Sequence, residues 1–244
     1  MYFQGANNGS EREGDVGMNG KLQTVAVIGG TGAEGSGIAL RLAHAGHRVI
    51  IGTRDPAKGA KTAAELNGVL GTSALEWQDN KSAAGAAEIV VLTVPYSAQV
   101  ATVVGMRDAL RGKILVDATV PLVPPKVSRV QLPVGGSAVA MVQAMLGDTV
   151  RVVSAFQNVS AHKLCELGTD VDCDVLVCAD DAEARQIVID LVARIGLRGI
   201  DAGPICNSVA AEALTSILIA INRQYKVPGS GIRITGMGSR ASGQ

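Results

Sequence analysis

The chain has 244 residues, 47% of them apolar, and its 22 basic side chains balance 22 acidic ones. This length and apolar content suffice for a full hydrophobic core, so we expect a globular protein. The neutral balance excludes an excess of Lys and Arg that could neutralise a phosphate backbone, so nucleic acid is not an expected partner.

Cysteine spacing and the length of apolar runs exclude two further classes. The cysteines show neither a C-x-x-C pattern nor a Cys/His spacing of metal sites, so we predict no metal. We interpret them as reduced thiols of a cytoplasmic protein without a secretory signal. They are Cys165, Cys173, Cys178 and Cys206. The longest apolar run, near residues 217–221, falls far short of the roughly 18 residues of a membrane span.

The N-terminal segment carries no signal of a fold. Its first five residues, MYFQG, resemble the remnant of a cleavable expression tag. Residues 1–20 are rich in Gly, Asn and charge and show no periodicity. We interpret them as a tag remnant with a disordered tail, and predict that the fold begins at residue 21.

Strand and helix patterns alternate over residues 21–155. In chain order they predict a strand at 25–28, a helix at 34–45, a strand at 47–51, a helix at 56–66, a strand at 88–94, a helix at 97–110 and strands at 113–116 and 150–154. Strands that alternate with helices form parallel sheets. The pattern predicts an α/β fold with a Rossmann-type, doubly wound parallel sheet over this range.

Residues 156–244 contain too few elements for a large independent domain. They comprise a strand at 174–178, a helix at 181–195, a strand at 198–201 and a last helix at 207–224. We predict a smaller C-terminal α/β domain here, with a mobile Gly-rich end at 229–244. One side of the last helix is apolar, which predicts core packing or a homodimer interface. This side carries Leu214, Ile217, Leu218 and Ile221.

The first predicted strand runs directly into a glycine motif that opens a helix. Its glycines are Gly30, Gly32 and Gly35, in the spacing G-x-G-x-x-G. In this context Gly30 permits a tight turn, Gly32 lets the backbone approach a pyrophosphate, and Gly35 allows close packing of helix on strand. The N-terminus of the helix would hold the anion. The motif predicts a dinucleotide site.

The end of the second predicted strand indicates which dinucleotide binds. Thr53 and Arg54 stand where NAD-specific domains place a carboxylate against the ribose. A hydroxyl and a guanidinium suit a 2′-phosphate, which favours NADP. Asp55 could still serve as the ribose carboxylate, but its place before Pro56 favours a helix cap. Lys58 is either a second positive group at the phosphate or a solvent-facing lysine.

Two more loops follow predicted strands. Val94 and Pro95 lie at the end of the predicted strand 88–94, and Val120 lies in the loop after the predicted strand 113–116. Ligands of doubly wound sheets lie at the carboxyl ends of strands, so we expect these loops to flank the nicotinamide. Termination of these strands is the alternative role for Pro95 and for Pro121, which follows Val120.

The sequence offers no evident acid–base machinery. We expect His44 and His47 to be surface or packing residues, and His162 to be either a site residue or a structural one. Neither a Ser-His-Asp arrangement nor a Tyr-x-x-x-Lys pair is present. We therefore predict no catalytic residue in the acid–base sense, and a reaction that needs only hydride transfer.

Several segments together resemble the family of coenzyme F420-dependent NADP oxidoreductases. They are GGTGAEGSGIALRLAHAGHRVIIGTRD, VVLTVPYSAQ, VDATVPL, VVSAFQNVSAHKL, DCDVLVCADDAEA, LRGIDAGPICNS and EALTSILIAINRQYK. They occur in order over nearly all of residues 22–235. The resemblance implies NADP(H) on the Rossmann sheet, and coenzyme F420 as second substrate in a cleft closed by an acceptor-binding C-terminal domain.

The resemblance also implies roles for individual residues. The pyrophosphate loop falls on residues 31–34, the 2′-phosphate contacts on Thr53, Arg54 and Lys58, and the nicotinamide neighbours on Val94 and Val120. The loop consists of Thr31, Gly32, Ala33 and Glu34. Residues 156–161 would line the place where the two rings meet. In this segment the acceptor contacts fall on Phe156, Gln157, Asn158 and Val159, and a cofactor contact on Ala161.

One departure concerns the second substrate. Some members of the family carry histidine where this chain has Gln157 and Asn158, which bears on the identity of the hydride acceptor. An NADPH-dependent reductase of another flavin, a pterin or a small imine is therefore an alternative. A non-catalytic NADP(H)-binding sensor is another. A 3-hydroxyacid dehydrogenase fits less well, because no lysine stands in an evident catalytic pattern.

Overall fold

A parallel sheet of six strands forms the centre of the computed structural model, which describes residues 22–237. Its order is β3-β2-β1-β4-β5-β6, which confirms the predicted doubly wound fold. The strands are β1 Thr24–Ile28, β2 Arg48–Gly52, β3 Leu75–Gln78, β4 Ile89–Leu92, β5 Ile114–Asp117 and β6 Arg151–Ser154. The predicted N-terminal tag remnant and tail, residues 1–20, lie outside the described residues.

Five helices connect these strands. They are α1 Ala33–His44, α2 Pro56–Leu70, α3 Asn80–Ala86, α4 Tyr96–Leu110 and α5 Ala138–Leu146. The chain passes from β1 outward to β3 and returns through α3 to β4, so that β1 pairs with both β2 and β4. The crevice at the carboxyl ends of β1 and β4 is therefore the switch point where such folds bind ligands.

Burial explains why the central strands are continuous apolar runs. Every residue of β4 and β5 is buried, because helices cover both faces of the sheet. The strand β3 was not predicted, since only Leu75 of its four residues is buried and it lies at the edge of the sheet. The short helices α3 and α5 were not predicted either.

Asp55 begins α2, as the sequence predicted. Its Oδ1 accepts a hydrogen bond from the backbone amide of Lys58 at 3.1 Å, and Pro56 occupies the first turn. This bond satisfies one of the free amides at the helix start. Asp55 is therefore a capping residue.

The second part of the chain builds a small parallel sheet. Its elements are α6 Ala161–Leu164, β7 Asp174–Val177, α7 Ala182–Arg194, β8 Arg198–Asp201 and α8 Ser208–Tyr225. β7 pairs with β8, and an isolated bridge between Ser154 and Cys178 links this sheet to β6. Buried residues of both parts, such as Val27 and Val188, belong to one hydrophobic cluster.

Arg41 joins the two parts in the interior. This side chain on α1 is only 6% exposed and donates to the carbonyl oxygens of Leu164 and Ile195 at 2.9 and 3.2 Å. It also donates to the carbonyls of Lys163 and Glu166. One guanidinium on α1 thus binds backbone carbonyls at the ends of both α6 and α7.

The Gly-rich end was predicted to be mobile, and this is wrong for residues 230–234. The amide of Asp174 donates to the carbonyl of Ile232 at 2.8 Å, and the amide of Ile234 donates to Asp174 Oδ2 at 2.7 Å. The amide of Ser230 donates to Asn222 Oδ1 at 2.7 Å. The tail therefore lies along β7. Residues 238–244 lie outside the described part.

One described segment is longer than the short apolar runs of the sequence indicated. The segment Ile205–Tyr225 has 21 residues and a mean hydropathy of 1.5, so by length and composition it could cross a membrane. Core helices pass the same test. Glu212 in this segment is 1% exposed and accepts hydrogen bonds from Ser137 Oγ and the Ala138 amide at 2.6 and 2.7 Å. These bonds attach α8 to the start of α5.

Candidate functional site

The glycine loop between β1 and α1 leaves no room for side chains at three of its positions. A Cβ on Gly29 would lie 2.9 Å from the carbonyl oxygen of Thr93. A Cβ on Gly35 would lie 2.5 Å from Thr93 Oγ1 and 2.6 Å from the carbonyl oxygen of Gly29. A Cβ on Gly30 would lie 2.8 Å from the carbonyl oxygen of Val27. Gly35 therefore allows the close approach of α1, as expected from the motif, whereas the left-handed backbone of the turn lies at Gly29, with a φ of 81°.

A cavity of about 560 Å³ opens above this loop. It brings together the ends of β1, β2 and β4, because these strands are neighbours in the sheet. Of the residues predicted for the cofactor, it is lined by Thr31, Gly32, Thr53, Arg54, Lys58, Val94 and Pro95. Three stretches that lie far apart in the sequence thus meet at one concave surface, whose volume lies in the range of small-molecule and cofactor sites.

The cationic side of the cavity is open to solvent. Thr53 is buried, whereas Arg54 and Lys58 are exposed on either side of the Asp55 cap. Lys58 Nζ lies 3.9 Å from Asp55 Oδ2, a distance at which exposed charges attract each other weakly. Both cations are therefore available to a phosphate group.

Besides Asp55, five further residues line the cavity and were not among the predicted contacts. They are Gly29, Asn80, Thr93, Ala98 and Thr102. The cavity continues into a second one of about 500 Å³ that Asn80 also lines, together with Asp79 and Lys81 at the start of α3. Asn80 Oδ1 is buried without a hydrogen-bond partner among residues 22–237. Asn80 could have been predicted as a site residue from its position after β3, but this strand was not predicted from the sequence.

A buried polar cluster lies under the predicted nicotinamide end. Asp117, the last residue of β5, is fully buried and accepts from Gln99 Nε2 at 2.7 Å and from the Thr119 amide at 2.9 Å. Burial raises the pKa of Asp117, although these bonds oppose the rise. Gln157 Nε2 donates to the carbonyl oxygen of Asp117 at 2.8 Å. Val120 follows this cluster in the same loop and is partly exposed.

The segment 156–161 connects β6 to α6 beside this cluster. Phe156 adopts a φ of 77°, a strained conformation for a bulky residue, and its side chain is 1% exposed in the core. Asn158 Nδ2 donates to the carbonyl of Ala211 on α8 at 2.8 Å. Gln157 Oε1 is buried and has no partner in the described chain. Phe156, Gln157 and Asn158 are therefore all buried, and the two amide side chains donate to backbone carbonyl oxygens.

The remaining predicted residues take different positions. Val159 is 9% exposed and packs in the core, while Ala161 starts α6 and is partly exposed. His162 points into solvent, where its Nδ1 lies 3.0 Å from Glu166 Oε1. His47 is buried, and its Nδ1 pairs with the backbone of Gln23. Neither histidine is brought to the cavity.

Ala33 and Glu34 occupy the first turn of α1. The thiol of Cys165, at the end of α6, approaches the carbonyl oxygen of Ala33 at 3.6 Å. Glu34 is partly buried, and burial, together with repulsion from Asp117, raises its pKa to about 8. A neutral Glu34 at this place is compatible with a bound anion. Within residues 22–237 no cluster of His, Cys, Asp or Glu could hold a metal.

Relatives of known description match almost the whole chain. An F420-dependent NADP reductase of Methanocaldococcus jannaschii is 41% identical over 221 residues, which cover 87% of this chain and 98% of the relative. The chain belongs to the F420-dependent NADP reductases. Residues 24–121 also match the family model for NADP oxidoreductases dependent on coenzyme F420.

Two further similarities extend this membership. An F420-dependent NADP reductase of Methanothermobacter thermautotrophicus is 40% identical, with 88% of this chain and 96% of the relative covered. The solved structure of a candidate F420-dependent NADP reductase from Arthrobacter sp. FB24 aligns with a TM-score of 0.74 and 26% identity. It covers 87% of this chain and 99% of that one. The similarity to family members thus extends well beyond the residues that the family model matches.

Proposed function

We propose that this protein transfers a hydride between NADP(H) and coenzyme F420. The observation that carries the proposal is the cavity above the glycine loop, which collects Thr53, Arg54 and Lys58 at the end of β2 in a chain of this family. NADP(H) supplies the hydride chemistry. The protein contributes binding, orientation and exclusion of water, which are its usual part in cofactor chemistry.

The NADP site extends along the carboxyl edge of the sheet. The backbone of the glycine loop holds the pyrophosphate at the N-terminus of α1. Thr53, Arg54 and Lys58 bind the 2′-phosphate, for which a guanidinium provides paired, charged donors. Val94, Pro95 and Val120 contact the nicotinamide. Ala161, at the start of α6, contacts the cofactor from the second part of the chain. The loop residues of this site are Gly30, Thr31, Gly32, Ala33, Glu34 and Gly35.

The second substrate binds where the two parts of the chain meet. Residues 21–155 form the NADP-binding domain, and residues 156–244 form the domain that receives the acceptor. The unpaired Oε1 of Gln157 is available for a hydrogen bond to an acceptor ring, and the strained backbone at Phe156 sets the course of this segment. Asn158 holds the segment on α8, and Val159 packs behind it.

The protein works as a homodimer in the cytoplasm, without nucleic acid or membrane. Support for the dimer comes from apolar side chains that α8 and the loop before α5 leave exposed, namely Val130, Leu132, Val134, Ile217 and Tyr225. The loop lies along α8, since Arg223 Nη1 bonds to Ser128 Oγ at 3.2 Å. Sedimentation of the native protein and of an Ile217→Glu variant tests the dimer, because only the native protein should sediment as a dimer.

Absorbance in the visible band of oxidised F420 tests the activity. NADPH should bleach this band in the presence of the protein, whereas NADH in place of NADPH, or FMN in place of F420, should react far more slowly. NADPH oxidation with FMN but not with F420 would assign a different acceptor. Binding of NADPH without hydride transfer to either would leave the sensor as the function.

A further inference from the structure

The hydroxyl group of Thr53 is oriented by the turn that follows it. The backbone amide of Asp55 donates to Thr53 Oγ1 at 3.1 Å. The hydroxyl lies 3.5 Å from the Asp55 carbonyl oxygen, at the limit of a hydrogen bond. Thr53 is buried and lines the dinucleotide cavity. Because the Asp55 amide occupies one lone pair of the hydroxyl and the contact with the carbonyl is long, the hydroxyl hydrogen is available to an acceptor in the cavity.

The methyl group of Thr53 lies over Gly59, in the first turn of α2. A Cβ on Gly59 would lie 2.7 Å from Thr53 Cγ2, closer than carbon atoms that are not bonded approach each other. Gly59 is buried, and its amide donates to the Asp55 carbonyl oxygen at 2.9 Å, which fixes its backbone in the helix. The Thr53 methyl group therefore occupies the space that a side chain at position 59 would take.

Trp77 encloses the same space from the strand β3. Its Cδ2 and Cε3 would each lie 3.0 Å from a Cβ on Gly59. The same strand holds the backbone of Thr53, whose amide donates to the Gln78 carbonyl oxygen at 3.1 Å. The Trp77 side chain is 37% exposed at the edge of the sheet, whereas Thr53 is buried. The indole ring thus has room to give way to a larger residue at position 59, and the Thr53 methyl group does not.

The contacts of the methyl and hydroxyl groups together select one rotamer of Thr53. Both groups are attached to the same Cβ, so they move together when the side chain rotates about χ1 between its staggered states. The observed state places the methyl group on Gly59 and the hydroxyl on the Asp55 amide. A side chain at position 59 would displace the methyl group, and the rotation would take the hydroxyl away from the amide.

We propose that Gly59 is a positioning residue that determines cofactor specificity. By leaving room for the Thr53 methyl group, it turns the Thr53 hydroxyl toward the 2′-phosphate and favours NADPH over NADH. Trp77 forms the rear wall of this gap. The inference rests on the 2′-phosphate contact that the proposed function gives to Thr53. Neither Gly59 nor Trp77 is among the described residues that line the cavity, so both act through Thr53.

Binding of NADPH and NADH to Gly59→Ala tests this role. The NADPH affinity should fall by about tenfold or more, the effect of losing a hydrogen bond to a charged group, while the NADH affinity should stay within about twofold. Gly68→Ala in the same helix, where a Cβ meets nothing within 4 Å, should bind both nucleotides as the native protein does. Native NADPH affinity in Gly59→Ala, or equal losses for both nucleotides, would overturn the proposal.

A compensating substitution separates the rotamer effect from general damage to α2. Thr53→Ser keeps the hydroxyl and removes the methyl group that a Cβ at position 59 would meet. The double variant of Gly59→Ala and Thr53→Ser should therefore bind NADPH within about threefold of Thr53→Ser alone. If the double variant bound NADPH as weakly as Gly59→Ala, the methyl group would not be the cause of the loss.

The emission of Trp77 tests the same contact in the native protein, even if Gly59→Ala fails to fold. Trp77 is the single tryptophan of the chain. Adenosine 2′,5′-bisphosphate should change its emission, because the 2′-phosphate engages Thr53 against Gly59. Adenosine 5′-phosphate at equal occupancy should not. Equal changes with the two nucleotides would contradict the proposed contact.

These titrations need no hydride acceptor, so they distinguish the inference from the proposed function. If the native protein binds NADPH selectively but does not reduce F420, the proposed hydride transfer fails and the role of Gly59 stands. If it binds NADPH no better than NADH, the proposed 2′-phosphate site fails, and the inference fails with it. A native preference that Gly59→Ala retains overturns the inference alone.

Discussion

Arg41 on α1 donates from Nε to the carbonyl oxygen of Leu164, 2.9 Å away, at the end of α6. The same guanidinium reaches Ile195 at the end of α7. Burial lowers the pKa of Arg41, against the attraction of Cys165 and Glu166. The contact holds the end of α6 and the loop that follows it against the last turn of α1.

Arg41→Met should lower the free energy of unfolding by about 3 kcal/mol or more, because buried carbonyl groups lose their charged donors. Urea unfolding followed by circular dichroism measures this. Arg48→Met is the matched control, since Arg48 is 57% exposed and its pair with Glu76 contributes about 1 kcal/mol or less. Equal losses in the two variants would contradict the role given to Arg41.

Arg54→Ala should weaken NADPH binding by roughly tenfold to a hundredfold, because a hydrogen bond to a charged group contributes about 1.5–3 kcal/mol. NADH binding should hardly change, since NADH lacks the 2′-phosphate. Lys58→Ala should have a smaller effect, because Lys58 already lies near Asp55. Fluorescence titration with each nucleotide provides the numbers, and equal losses for NADPH and NADH would place Arg54 elsewhere on the cofactor.

Gly35→Ala should abolish dinucleotide binding and lower stability, because its Cβ would lie 2.5 Å from Thr93 Oγ1 and 2.6 Å from the Gly29 carbonyl. Gly68→Ala is the control within α2, where a Cβ meets nothing within 4 Å. It should raise the free energy of unfolding by up to about 1 kcal/mol. Thermal unfolding and NADPH titration of both variants compare the two glycines. Normal binding in Gly35→Ala would show that the loop has room to move.

Because of Asp174, the free energy of unfolding should decrease at acidic pH. Burial raises the pKa of this carboxyl, but the Arg198 guanidinium and the Ile234 amide outweigh it and hold the pKa below the ordinary 3.8. A lowered folded pKa adds stability above the unfolded value, and this stability is lost as pH falls through the folded value. The native protein should therefore lose more stability than Asp174→Asn between about pH 5 and about pH 3.

Urea midpoints at a series of pH values test this dependence. Asp190→Asn is a suitable control, because Asp190 is exposed on α7 and its contact is a neutral amide, Gln186. It should follow the native curve. If the urea midpoints of the native protein and of Asp174→Asn fell equally with pH, Asp174 would not be the source of the acid sensitivity.

The sequence predicted most of the fold because its signals are local. Buried strands such as β4 are short apolar runs, and the cap at Asp55 needs only the three residues that follow it. The edge strand β3 escaped prediction, since it buries one face in part. The Gly-rich tail was misjudged because its composition does not reveal the bond between Ile232 and Asp174.

The candidate site was predictable where it is continuous in sequence and not where it is assembled across the fold. The glycine loop and the end of β2 were identified from short patterns. The polar cluster was not, because Gln99 and Asp117 are 18 residues apart, and Asn158 meets Ala211 across 53 residues.

The position of Cys165 makes the glycine loop accessible to chemical labelling. Of the four cysteines, Cys165 and Cys206 are exposed, whereas Cys173 and Cys178 are buried. Burial also raises the pKa of the two buried thiols, which slows their reaction with alkylating reagents. With Cys206 replaced by Ser, a fluorophore attached to the remaining exposed thiol would sit beside the Ala33 carbonyl and report each arrival of a dinucleotide as a change in emission.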